Sequence, residues 1–144
     1  MEKWKEDLKS SFETQKIDKN REKKRDELKS HLKKFFFAKV RPVFKTLKKE
    51  LERYDREVEI AIRDNSGAIE VNYKGQLELD YKVKVRDIFP YPETLYRDAS
   101  GNRIWGEGSF REGIGKYSIY DLPEEVILEH FLREYKSRLW TLSK

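Results

Sequence analysis

The apolar residues of this chain change their spacing twice, and those two changes constrain the fold more than any motif does. From Leu28 through Leu32, Phe35, Phe36, Val40, Val43, Phe44, Leu47, Leu51 and Tyr54 they step by three and four, which lines one side of a helix. From Val58 they alternate. Val58, Ile60 and Ile62 predict a first strand, and Ile69, Val71 and Tyr73 a second. In a long third strand Leu77, Leu79, Tyr81, Val83 and Val85 face one way, and Glu78, Asp80, Lys82, Lys84 and Arg86 the other. The helical spacing returns at Ile127, Leu128, Phe131, Leu132, Tyr135, Leu139 and Leu142. Clean alternation means one packed face and one wet face, as in an antiparallel meander. Two apolar helix stripes are then available to cover the packed face. The expected fold is α+β, with basic N-terminal helices and a C-terminal helix packed on one face of an antiparallel β-meander. A chain of 144 residues fits a single domain, 1–54 helical and basic, 55–120 sheet, 121–144 C-terminal helix. Phe36, Val43, Phe44, Leu47, Ile60, Val71, Leu79, Val83, Leu128 and Phe131 are expected to share one core.

Breaks and turns separate these segments. Trp4, Leu8 and Phe12 predict a short amphipathic helix, broken or bent at Ile17-Asp18-Lys19-Asn20, where Asp18 or Asn20 offers an N-cap. Pro42 lacks a backbone donor and crowds the carbonyl of Ala38, so the second helix should kink at 38–42 or restart there. Asp64-Asn65-Ser66-Gly67 and Lys74-Gly75 supply turns. Phe89-Pro90-Tyr91-Pro92 is expected to be a connector, because proline cannot donate to a ladder. Residues 94–96 and 103–105 predict a second hairpin around a turn at 98–102. Gly106, Gly108, Gly113 and Gly115 loosen the chain before a last strand at 116–120. Asp121 and Glu124 have capping-box spacing, with Pro123 in the first turn of the final helix.

Cysteine is absent, which removes disulfides, thiolate nucleophiles and Cys-based zinc sites, and suits a cytoplasmic setting. The basic start has no apolar region behind it, so neither a secretory signal nor a transmembrane segment is expected. Charge is unevenly placed: residues 1–53 hold 18 Lys and Arg against 10 Asp and Glu, while the remainder is net acidic. No acidic residue falls between Glu27 and Glu50.

Lys34, Arg41, Lys45, Lys48 and Lys49 therefore form a basic helix side, the strongest functional signal in the sequence. Cations without intervening carboxylates suit an acidic partner, either nucleic acid or an acidic protein surface. No zinc-finger, RNP or helix-turn-helix signature accompanies them, so nucleic-acid contact would be directed at the backbone. The same residues also describe an ordinary solvated helix surface. Membrane binding would need the apolar stripe that the sheet already claims. The main reading is a non-enzymatic binding or adaptor module without a cofactor, and a homo-oligomer is compatible with it.

The enzymatic alternative is a metal-dependent nuclease. Asp64, Asp80 and Lys82 have the order of a PD-(D/E)xK constellation, in which carboxylates hold Mg²⁺ and the lysine steadies water or phosphate. His130 and Glu134 stand four apart and read as a surface pair rather than a metal site. Tyr96 and Trp105 either pack together or line a shallow cleft beside the glycine-rich stretch, a candidate aromatic contact.

Overall fold

The computed structural model describes residues 2–112 and 115–142. The elements are α1 (Lys3–Phe35), a π-helical turn (Phe36–Val40), α2 (Arg41–Glu52), β1 (Glu57–Ile62), β2 (Ser66–Tyr73), β3 (Gln76–Arg86), β4 (Phe89–Arg97), β5 (Arg103–Glu107), β6 (Arg111–Glu112), β7 (Gly115–Lys116) and α3 (Glu124–Leu142). The sequence expectation of an α+β chain with an antiparallel meander is met. β1 to β5 form one sheet in sequence order, and β6 and β7 a separate two-stranded ribbon. The chain groups into two compact units, Met1–His31 and Leu32–Lys144. Among the described residues no helix is long and apolar enough to cross a membrane.

In the first unit the helix runs through 17–20 without the expected break. That segment holds neither Pro nor Gly, and Asp or Asn costs a helix only tenths of a kcal/mol. Every side chain from Glu2 to Glu27 is exposed.

In the second unit the disturbance expected around Pro42 takes the form of a π-turn. The Arg41 amide donates to the Phe36 carbonyl, and α2 restarts with Pro42 in its first turn. The wider turn absorbs the backbone that the proline ring would otherwise crowd. It also brings Val40 so close to β2 that a Cβ on Gly67 would sit 2.9 Å from the Val40 Cγ1. Only glycine fits there.

The helices cover one sheet face: α2 lies on β1, and α3 on β3. Phe36, Phe44, Ile69, Val71, Leu79, Tyr81, Val83 and Phe131 are fully buried, with Val43 and Leu47 nearly so. Ile60 and Leu128, expected in that core, are only half-buried.

Four further expectations are corrected. Phe89-Pro90-Tyr91-Pro92 is not a connector but the start of β4, with Pro90 paired to Val85 and Pro92 to Val83. The Pro92 carbonyl accepts from the Gly108 amide, on the side away from β3, so the missing proline donor faces outward and the β3 ladder is spared. The alternation of β3 breaks at Glu78, an extra residue between the pairs Val71–Leu79 and Asn72–Leu77. This bulge turns Glu78 to the helix-covered face and Leu77 to the wet one. No strand spans 116–120; β7 is only Gly115–Lys116. Asp121 does not cap α3 but turns back to accept from the amide and hydroxyl of Ser118. Gly113, expected to loosen this stretch, lies outside the described residues.

Candidate partner-binding groove

Arg41, Lys45 and Lys48 succeed one another by four and three along α2, so they share one side of the helix. Together with Phe37 of the π-turn and Ile60 and Ile62 of β1 they line a groove of about 430 Å³. The π-turn matters here, because it sets the phase at which α2 leaves Phe37. Val43, Phe44 and Leu47 then point into the core while the three cations overhang β1. Among the described residues no carboxylate lies within ion-pair distance of Arg41 or Lys45. Among the same residues Lys48 meets only Glu52, at 3.8 Å and largely exposed, an arrangement that contributes little. The groove thus has an apolar floor and a positive rim. Lys34 and Lys49 are exposed and are not among its lining residues.

Lys39, also part of the basic stretch, is a structural tie. Its Nζ donates to the Leu122 carbonyl at 2.6 Å and fastens the π-turn to the approach to α3. Phe37, Ile60 and Ile62 escaped sequence reasoning. Phe37 falls outside the helical stripe, a visible signal, but Ile60 and Ile62 alternate like any core residues.

The nuclease residues are placed differently. Asp80 and Lys82 do share the wet face of β3, 3.8 Å apart. Asp64 lies in the β1–β2 turn, whereas Asp80 pairs with Glu70, four residues along β2 from Ser66 at the turn. Strand rise makes that separation about 14 Å. The carboxylates beside Asp80 are those of Glu70 and, one strand further, Glu59. They border a shallow depression of about 460 Å³ that Lys82 and Lys84 also line. Burial pushes the Asp80 carboxyl up, Lys82 opposes this, and Glu70 adds to it. Among the described residues no group of three His, Cys, Asp or Glu is placed to hold a metal ion such as Mg²⁺.

Tyr96 and Trp105 are not brought together. Leu95 pairs with Trp105 and Tyr96 with Ile104, so the two aromatics project from opposite sheet faces. Tyr96 lies under the Arg138 guanidinium at 3.6 Å, on the helix side, and Trp105 is exposed.

Two polar clusters of the helix side were not foreseen. Arg56 grips Glu78 bidentately (3.0 and 3.1 Å) and the Tyr135 hydroxyl donates to the same carboxylate at 2.6 Å. Burial and this hydrogen bond push the Tyr135 hydroxyl up, while the Glu78 bond holds Arg56 charged. His130 forms the expected pair with Glu134 but is half-buried rather than exposed. Its Nδ1 lies 2.9 Å from the buried Tyr81 hydroxyl, its ring packs on Phe110, and Nε2 stands 3.9 Å from Glu134. Burial lowers its pKa, against the pull of Glu134.

Comparison with protein-family models, curated proteins and solved structures gives no match.

Proposed function

We propose that this chain is a binding module that receives an acidic segment of another protein in the groove between α2 and β1. The observation that carries the reading is the groove itself: Arg41, Lys45 and Lys48, with little carboxylate pairing, stand over Phe37, Ile60 and Ile62. A phosphate backbone asks for cations alone, and an apolar floor adds nothing to that contact. A protein segment with both acidic and apolar side chains uses both parts of the groove. Lys34 and Lys49 add to the positive field that steers such a partner. A cytoplasmic setting suits a cysteine-free chain of this kind. The nuclease reading retains Asp80 and Lys82 but lacks a nearby Asp64.

The test is charge reversal of Arg41, Lys45 and Lys48 to Glu in one variant. All three lie outside the buried core, so the fold is expected to be kept, as circular dichroism and urea midpoint would report. Fluorescence anisotropy then compares binding of a labelled acidic peptide containing Val and Ile with that of a single-stranded oligonucleotide, across a salt series. The expected result is peptide binding by the wild type, weakened by salt and reduced at least tenfold in the variant. Tighter binding of the oligonucleotide, or a variant indistinguishable from the wild type, would overturn the reading.

A further inference from the structure

β1 is an edge strand: its ladder to β2 is the only one it makes among the described strands. The hairpin closes with the Arg63 amide donating to the Ser66 carbonyl, which fixes the phase of the ladder. In an antiparallel strand the N–H and C=O of a residue point the same way and successive residues alternate. The backbone groups of Glu57, Glu59 and Ala61 therefore face β2, and those of Val58, Ile60 and Ile62 face outward. Among the described residues no backbone hydrogen bond is made to them from outside. The groove is lined by residues of β1, the π-turn and α2 and by none of β2, so it lies over the outward side of β1 rather than over the ladder. An unpaired row of donors and acceptors beside an apolar floor and a cationic rim is a template for another strand.

We infer that the groove takes its ligand as an added β-strand: an extended acidic segment of a partner protein pairs with the open edge of β1 beneath α2. This rests on the function proposed above and adds the mode of binding and the pattern of the ligand. From Phe37 to Lys48 the helical path spans about 16 Å at 1.5 Å per residue, which matches about five residues of strand. Every second side chain of the segment faces the helix layer. Those over Phe37, Ile60 and Ile62 are apolar, and those reaching Arg41, Lys45 and Lys48 are Asp or Glu. The intervening side chains lie beside Glu57 and Glu59 on the wet face, where Thr or Lys is accepted and a further carboxylate is repelled. A second copy of this chain is a poor occupant. It would bring its own Arg41, Lys45 and Lys48 to the same three cations, and like charges at close range disfavour the pairing.

The probe is a fluorescent peptide of about nine residues, with Glu, Val, Ile, Val and Glu at its odd positions and Thr or Lys between them, so that the five residues from Val to Val fill the groove and one Glu flanks it at each end. Residues opposite one another in a ladder share a sheet face, so in antiparallel register the odd residues turn their N–H groups toward β1 and the even ones away. Two isomeric probes are made, one N-methylated at Val and Ile of the odd positions, the other at three even positions. The full chain is titrated with all three. Strand addition predicts that odd methylation weakens binding about tenfold or more, whereas even methylation leaves it within about threefold. Equal binding of the two isomers would overturn the pairing. If the Arg41, Lys45 and Lys48 charge reversal still abolished binding in that case, the basic groove would stand without the strand. Failure of every peptide to bind would remove both.

Discussion

The carboxylate of Glu78 accepts from Arg56 through both oxygens and from the Tyr135 hydroxyl, and the same residue offers its carbonyl to Arg138 Nε at 3.4 Å. Arg138 reaches on to the Arg97 carbonyl at 2.8 Å and covers Tyr96. Glu78 is 5% exposed, so truncation leaves a guanidinium and a phenol facing an empty, poorly solvated site. Glu78→Ala is expected to cost about 3–5 kcal/mol, the range for breaking one side of a buried pair. A urea midpoint equal to that of the wild type would refute this role. His130 gives the chain a second sensitivity, to acid. Burial depresses its pKa below the ordinary 6.5, so as pH falls through that value the unfolded chain takes up a proton before the native one does. Its contribution is fully present above 6.5 and is lost progressively below it. When the imidazole is protonated, both ring nitrogens carry hydrogens and Nδ1 can accept nothing from Tyr81, whose own hydroxyl burial pushes up and keeps protonated. His130→Gln retains an acceptor and gains no proton. Its unfolding free energy is expected to fall less steeply than that of the wild type between pH 7 and 5, and superimposable profiles would contradict this.

Element by element, legibility followed how local the determining physics was. Helix and strand periods in α2, β2 and α3 follow from side-chain spacing alone, and the core residues Phe36, Phe44, Leu79 and Phe131 were readable from it. The bulge at Glu78 was not, because an extra residue leaves the letters of β3 alternating while the faces exchange beyond it. Pro90 and Pro92 misled for a related reason. A proline breaks a ladder only where its nitrogen faces a partner, and that side depends on where β5 ends. The π-turn could be anticipated as a disturbance near Pro42, but not as the device that aligns Phe37 with Arg41, Lys45 and Lys48. The candidate groove was therefore half legible. Its cations stood out as a run without carboxylates, whereas its floor needed the juxtaposition of a helix side and a strand edge far apart in sequence.

At the scale of the whole chain, burial is divided as unevenly as charge. From Glu2 to Glu27 every side chain is exposed, including Trp4, Leu8, Phe12 and Ile17, while β2 and β3 hold Ile69, Val71, Leu79, Tyr81 and Val83 at no exposure. Among the described residues no ion pair closes along residues 3–29, and exposed acid–base neighbours three apart, such as Glu22 and Arg25 or Asp26 and Lys29, add only tenths of a kcal/mol each. Ser11 and Thr14 bond back to the carbonyls of Asp7 and Ser10, which favours helix bending over helix stability. A helix held chiefly by its backbone bonds lacks the tertiary packing that supplies most helical stability in proteins. Its amides should open locally with free energies near zero to about 1 kcal/mol, whereas those of the β2–β3 ladder open only with the core. Hydrogen exchange followed by mass spectrometry on peptic fragments is the measurement. Protection across residues 3–29 is expected to be about tenfold or less over the unstructured rate, and that across residues 69–83 larger by several orders of magnitude. Equal protection in the two segments would mean that the first is stabilised by burial, contrary to the exposure of Trp4, Leu8 and Phe12. The expected contrast would place the stability of the chain in the unit that carries Arg41, Lys45, Lys48 and the open edge of β1.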